Sequence, residues 1–336
     1  MKIDGGIGFS PSGIADAARE VEALGYDGAW AAETGHDPFL PLAIAAEATE
    51  RIELGTAIAV AFARNPMNLA MVANDLQLIS KGRFILGLGS QIKPHITKRF
   101  SMEWSRPAAR MREMLLAIRA IWDCWENGTK LDFRGEFYTH TLMTPFFNPG
   151  PNPYGRPRVI LAAVGERMTE VAGEAGDGMI VHGFTTYRYL REVTIPALER
   201  GAARAGKTRQ DLTVAYPGFV VTGEGDQFEE AKKATKRQIA FYGSTPAYRG
   251  VLELHGWGEV GDRLNTMSKR GEWEAMGELI TDEMLDAFAV VGPIDEVPAK
   301  VAERFGGLVD RFSFYAPYPM AAEDFGAVLA AFKQIP

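Results

Sequence analysis

Two spacings of apolar residues alternate along the chain, one of strands and one of helices. Residues 2–8 (KIDGGIG) read as a short strand. Over 13–24, Ile14, Ala17, Ala18, Val21 and Leu24 recur at the spacing of one helix face, and Gly25 supplies a stop. Asp27-Gly28 then leads into Ala29-Trp30-Ala31-Ala32, a buried strand. The spacing next predicts a helix over 40–50 and a strand over 52–62 (IELGTAIAVAF), whose nearly unbroken apolar run suits a parallel strand covered on both faces. A helix over 67–80, a strand over 83–89 and a long helix over 107–126, carrying Trp122 and Trp125, follow. Residues 130–144 are polar and aromatic with turn signals, and 145–157 are rich in Pro and Gly. Alternation resumes with strand 158–164, helix 166–175, strand 178–182, helix 186–205, strand 212–222 and helix 227–240. The last pieces are 288–291, helix 294–305, strand 310–316 and helix 321–333.

This order predicts an α/β protein with parallel strands. The preferred architecture is a single (β/α)8 TIM barrel over 1–336, with eight strands when 288–291 is set aside as an extra. A doubly wound sheet is the alternative, and alternation alone does not separate them. One connection echoes itself: Gly25-Tyr26-Asp27-Gly28-Ala29-Trp30 and Gly176-Asp177-Gly178-Met179-Ile180-Val181 each run from a helix end through Asp-Gly into a strand. Segment 241–286 interrupts the pattern and reads either as a lid or substrate-side insertion, or as surface decoration or a subunit contact.

Composition narrows the class of function. With 46% hydrophobic and 24% charged residues the chain has the makeup of a folded globular protein. A net charge of −7 argues against a nucleic-acid footprint. Cys124 is the lone cysteine, so disulfides within the chain and CxxC sites are excluded, and a reducing cytoplasm is expected. No apolar run approaches the ~18 residues of a membrane helix, and MKIDGGIGFS lacks the apolar stretch of a secretory signal.

In a parallel barrel, chemistry belongs at the carboxyl ends of the strands. The predicted elements place Glu33, Thr34, His36 and Asp37 after strand two, Arg64 and Asn65 after strand three, and Ser90, Gln91 and His95 after strand four. His182 follows strand six, and Tyr315 ends strand eight. Gly87-Leu88-Gly89-Ser90-Gln91-Ile92 lacks the last glycine of a dinucleotide fingerprint, and GxxxxGK[ST], HExxH and GxSxG are all absent. His36, His95 and His182 could serve as zinc ligands, although their spacing does not demand it. Ala162-Ala163-Val164-Gly165, opening a helix at Glu166, suits either a phosphate at a helix N-terminus or plain strand–helix packing. Phe39, Phe62, Trp104 and Phe184 could line a pocket or fill the core.

Several motifs taken together are more specific. Residues 52–91 carry Leu-Gly-Thr at the end of a strand, Arg-x-Pro opening a helix, Asp-x-x-Ser-x-Gly-Arg, and Leu-Gly-x-Gly. Gly165-x-x-Met168-x-x-x-Ala172, Ala175-Gly176-Asp177-Gly178, 290–297 (VVGPIDEV) and 310–318 (DRFSFYAPY) continue the likeness. In these the chain resembles the luciferase-like monooxygenase superfamily, and within it the branch of oxidoreductases that use the deazaflavin coenzyme F420. The resemblance implies a homodimeric TIM barrel with the coenzyme at the strands' carboxyl ends. It implies a non-prolyl cis peptide between Ala57 and Ile58, backing the central ring. Glu33 would lie near that ring, Gly89, Ser90 and Gln91 would line the coenzyme, and Ala163, Val164 and Gly165 would hold its phosphate-bearing side chain. The branch's sugar-phosphate dehydrogenases carry a histidine directly after the strand-two acid and a glutamate after strand four. Thr34 and Ile92 stand there in this chain, which turns the expectation away from that substrate.

The resulting expectation is hydride transfer between F420 and a small organic substrate, with His36, then His182, as proton partner because imidazole titrates near neutral pH. His36 could equally do no more than order its loop through Asp37. An FMN-dependent monooxygenase using oxygen is the alternative on the same fold. A noncatalytic cofactor-binding barrel is the alternative outside enzymes.

Overall fold

The computed structural model describes residues 1–8, 10–320 and 322–332. The strands in chain order are β1 (Lys2–Gly6), β2 (Gly28–Ala31), β3 (Glu53–Thr56), β4 (Ala59–Val60), β5 (Phe84–Gly89), β6 (Phe133–Arg134), β7 (Thr139–His140), β8 (Arg158–Ala163), β9 (Gly178–Val181), β10 (Thr213–Val221), β11 (Ala289–Val291) and β12 (Arg311–Tyr315). Parallel ladders join β1 to β2, β2 to β3, β3 and β4 to β5, β5 to β8, β8 to β9, β9 to β10, β10 to β12 and β12 back to β1. Counting β3 and β4 as one broken strand, eight strands close on themselves. The chain is a TIM barrel, and closure removes the doubly wound alternative. β11 pairs only on the free carboxyl half of β10, so 288–291 is the extra that the count required.

Helices fill the connections and cover the barrel. Asn65 caps the helix Pro66–Ile79 by accepting the Asn68 N–H at 3.0 Å, and Pro66 takes the first helical position, where no N–H is needed. Helix 166–175 has the predicted bounds. The predicted helix 186–205 runs from Tyr187 to Arg204 and holds a π-helical turn, Leu190–Thr194, within it. The last helix is Ala322–Phe332, and the predicted ends 321 and 333 lie outside the described residues. β6 and β7 form a hairpin, pinned to the helix Pro107–Asn127 by Glu113, whose carboxylate accepts three hairpin N–H groups at 2.7–2.9 Å.

The echoed Asp-Gly connection is a repeated device. Asp27 gives its N–H to the Ile3 carbonyl and takes the Ile3 N–H on its carboxylate, both at 2.8 Å. Asp177 does the same with Val159, and Asp310 with Val214. Each aspartate stands one residue before a strand and ties it to its neighbour. The glycine after two of them has a separate cause, close approach: a Cβ at Gly28 would come within 2.6 Å of both Arg311 and Asp4, and one at Gly178 within 2.0 Å of the Thr213 carbonyl. The third copy has Arg311 in place of glycine, which hid it in the sequence. Asp27→Ala is expected to lower unfolding stability by about 1–3 kcal/mol, since it leaves a backbone N–H at the barrel's foot without its charged acceptor; a urea titration reads the loss.

The barrel interior is packed by Ile85, Ile160, Ile180 and Ala215, with Trp30, Ala57, Ile58 and Ala162 against them. A larger cluster fills the space between strands and helices. A separate cluster joins the insertion to the barrel: Val251, Leu252, Leu264, Met276, Ile280, Met284 and Leu285 pack with Phe184, Phe219 and Val221 at the upper ends of β9 and β10. Segment 241–286 is therefore anchored over one side of the barrel mouth by its own apolar core.

Candidate functional site

β2, β3 with β4, β5, β8 and β9 are successive positions around the barrel. Their carboxyl ends form one continuous arc of the mouth, and the sequence-predicted site residues lie along it.

The run 52–62 is not one strand. β3 ends at Thr56, the peptide Ala57–Ile58 is cis, and a second short strand and a 3-10 turn (Ala61–Ala63) follow. The Ala57 N–H donates to the Ala31 carbonyl at 2.8 Å, and the Ile58 carbonyl accepts the Glu33 N–H at 3.2 Å, so the bulge is joined to the end of β2. Glu33 then reaches back: its Oε2 accepts the Val60 N–H at 2.7 Å and Arg64 at 2.6 Å. Its side chain is 6% exposed and that of Arg64 18%. Arg64 also donates to the Val60 carbonyl (3.1 Å) and to Asp37 (2.9 Å), while Asp37 accepts the Phe39 N–H (2.9 Å). Glu33 Oε2 is thus committed to a guanidinium and a backbone amide, and Arg64, Asp37 and Glu33 together fix the bulge and the loop after β2.

Gly89 closes β5 where a Cβ would meet the Ile58 side chain at 2.9 Å. Ser90 donates to the Gln91 carbonyl at 3.1 Å, and Gln91, at φ 60°, accepts the Ile92 N–H on its own side chain at 3.0 Å. His95 is exposed and opens a π-helical turn. His36 is also exposed, and the two oxygens of Asp37 accept from Arg64 and from the Phe39 N–H. Among the described residues no three of His, Cys, Asp and Glu assemble as metal ligands, so His36, His95 and His182 are not gathered into a zinc site.

Farther along the arc a cleft opens between the ends of β8 and β9 and the insertion. Ala163, Val164, Gly165 and Glu166 form one wall, His182, Phe184 and Thr185 another, and Ala247, Tyr248 and Val251 a third. Gly165 has φ 76°, a conformation that favours glycine, and starts the helix Glu166–Ala175 at the cleft. His182 Nδ1 accepts the Phe184 N–H at 3.0 Å. Its ring lies against Tyr242 (4.9 Å between centroids, edge on) and Tyr248 (4.4 Å, tilted 30°). Burial pushes the His182 pKa down to about 4, so the ring is neutral at physiological pH. Tyr315 ends β12 as expected, stacks on Phe219 at 4.7 Å and shares a 2.8 Å hydrogen bond with Tyr242. Burial, and then that bond, raise its pKa.

Of the four candidate pocket aromatics, Phe39 and Phe62 are core residues. Trp104 packs edge-on against Phe62 at 5.6 Å, and Phe184 alone reaches the cleft. Tyr242, Tyr248 and Thr185 escaped the sequence reading. The two tyrosines lie in a segment without clear periodicity, and threonine has no pattern that marks it out.

Comparison with known proteins agrees with the geometry. The family model for luciferase-like monooxygenases matches residues 3–311. An uncharacterized protein of Mycobacterium tuberculosis is 57% identical over 337 residues, covering 99% of this chain and 98% of its own. A 5,10-methylenetetrahydromethanopterin reductase of Archaeoglobus fulgidus is 30% identical over 293 residues, 84% of this chain and 83% of its own. The coenzyme F420-dependent tetrahydromethanopterin reductase of Methanopyrus kandleri superposes with a TM-score of 0.77 at 21% identity, over 98% of this chain and 96% of that one. The chain belongs to the luciferase-like monooxygenase family.

Proposed function

We propose that this protein is an oxidoreductase that transfers a hydride between the deazaflavin coenzyme F420 and a small organic substrate. The observation that carries the reading is the arc itself. A backbone bulge at Ala57–Ile58, held by Glu33 and Arg64, stands on one side of Gly89, and a cleft with a helix start stands on the other. Relatives whose names carry coenzyme F420 favour it over FMN.

The residues present fit such a group. Gly165 meets open space, with no atom within 4 Å of where a Cβ would stand, and the helix 166–175 starts directly after it. Backbone N–H groups at a helix start favour a phosphate. Thr185 lies beside them with its buried hydroxyl lacking any hydrogen-bond partner. Ala57, Ile58 and Gly89 would supply an apolar wall for a flat ring, with Ser90 and Gln91 at its edge. When bound, the deazaflavin would supply the hydride-carrying carbon. The protein's part is to hold that ring against the bulge, anchor its phosphate-bearing side chain in the cleft, and keep water out with Tyr248 and Val251 of the insertion. We assign proton exchange with solvent and substrate to His36, which is exposed on the loop after β2.

A fluorescence titration of the purified protein against F420 and, separately, FMN tests the reading. Saturable F420 binding, at least about 10-fold tighter than FMN (about 1.4 kcal/mol), is the expected result. Tight binding of FMN alone would move the assignment to an oxygen-using monooxygenase, and binding of neither would remove it.

A further inference from the structure

We infer that His182 and Thr185 form a pair of neutral hydrogen-bond donors that holds an anionic oxygen of the molecule occupying the cleft. Taking that oxygen to be the coenzyme's phosphate rests on the function proposed above; the donor pair does not.

The argument starts from the imidazole. A ring nitrogen accepts a hydrogen bond only when it carries no proton. His182 Nδ1 accepts the Phe184 N–H, so the proton of the neutral ring sits on Nε2. Protonating Nδ1 would set two donors against each other, and the backbone amide cannot turn away. The titratable side chains packed against the ring are the phenols of Tyr242 and Tyr248. Glu166 lines the same cleft with its carboxylate on Arg200. Nothing negative is therefore paired with His182, and burial adds its own penalty against the charged form. The result is a fixed Nε2–H donor with no protein acceptor among the described residues.

Thr185 supplies the second donor independently. It is 3% exposed, its Oγ1 is buried, and no protein group accepts its proton. Thr169, across the cleft, shows the usual outcome, with its hydroxyl spent on the Gly165 carbonyl at 3.0 Å. Two donors without acceptors, beside the amides of a ten-residue helix's first turn, call for a group that only accepts: a phosphate or carboxylate oxygen. Because both donors are neutral, the hold on that oxygen is independent of pH across the range where free imidazole titrates.

Two measurements test the pair. In long-range proton–nitrogen NMR spectra of the ligand-free protein, the imidazole signal lost in His182→Gln is expected to show the Nε2–H tautomer. That signal should stay unchanged from pH 5.5 to 8. An Nδ1–H tautomer, or titration in that range, would overturn the assignment. In F420 titrations, His182→Phe and Thr185→Val are expected to weaken binding about 10-fold or more, with His182→Gln regaining part of it through its amide. An unchanged imidazole spectrum in Thr185→Val shows that the fold is intact. Wild-type affinity in both Phe and Val variants would refute the pair. If F420 fails to bind while inorganic phosphate shifts the Nε2–H signal, the donor pair stands and the coenzyme assignment falls.

Discussion

Arg311→Met is expected to cost about 3–5 kcal/mol of unfolding stability, the penalty for leaving a buried charge without its partner. Arg311 opens β12 at the foot of the barrel, opposite the site, with its side chain 2% exposed and that of Asp4 fully buried. The guanidinium meets Asp4 through two bonds, at 2.7 and 2.6 Å, and also binds Glu53. Its face lies 5.5 Å from the Trp30 ring. The two carboxylates fare differently when it is removed. Glu53 keeps Lys2, at 2.6 Å, and Arg158. Burial raises its pKa, but the charge of Arg311 and the bond from Lys2 outweigh this and bring it down to about 2. Asp4 is left without any cation, and burial already pushes its pKa upward. Denaturant unfolding of the single variant and of Asp4→Leu/Arg311→Met separates the causes. The double variant is expected to recover most of the loss, because an apolar pair of similar volume replaces a buried ion pair at little cost. A loss below about 1 kcal/mol in the single variant would mean that water reaches Asp4 and that the foot of the barrel is open.

The same foot shows what the amino-acid pattern could and could not convey. Strand–helix alternation was legible because burial on one helix face, or on both strand faces, writes a period into neighbouring residues. Helix 166–175 was bounded correctly for that reason, between glycines at 165 and 176. Periodicity read the run 52–62 as one strand because the residues at the break, Ala57-Ile58-Ala59-Val60, are all apolar; the cis peptide there came from the resemblance alone. Ala57 and Ile58 face the packed interior whether or not they join a ladder, and hydrophobicity reports the first property only. The π-helical turn at 190–194 was hidden likewise, since its apolar residues keep helical spacing. The Asp27 and Asp177 connections were visible through the glycine that follows each. Asp310 was not, because Arg311 stands where the other two have glycine.

The site was legible in its positions and not in its connections. Glu33 stood out as an acid beyond a strand, but the bond that decides its role comes from Arg64, 31 residues later. The Arg-x-Pro motif gains a cause there: Arg64 returns to Glu33 and Val60, Asn65 caps the helix and Pro66 starts it. His36, His95 and His182 look alike in sequence. Only the fold separates two exposed loop residues from one ring locked between tyrosines.

Gly87→Ala is expected to weaken the proposed F420 binding about 100-fold or more while leaving a folded but weakened barrel. Gly87 lies mid-strand in β5, and a Cβ there would stand 1.8 Å from the Thr56 carbonyl oxygen. Neither atom can rotate aside, because both belong to backbone in adjacent strands. Thr56 is also fully buried, and its hydroxyl both donates to the Gly87 carbonyl (2.6 Å) and accepts the Gly87 N–H (2.9 Å). An added methyl must therefore force β3 away from β5 and break one or both bonds. Overpacking of this kind costs about 1–3 kcal/mol and more when backbone must move. The functional loss exceeds the stability loss because the displaced carbonyl belongs to the residue just before Ala57 and Ile58. Glu33 and Arg64 hold that bulge from the far side through Val60, and they would then hold it in the wrong place. In titrations the variant is expected to bind F420 at least about 100-fold more weakly, a difference of about 2.7 kcal/mol, while circular dichroism retains the α/β signature. Leu86→Ile, at a buried neighbouring position that faces the helices' cluster and not the barrel interior, is the control and should bind as the parent does. Equal loss in both variants would mean that general weakening of β5, and not the Gly87–Thr56 contact, governs the site. Unchanged binding in Gly87→Ala would place the coenzyme elsewhere than against Ala57–Ile58.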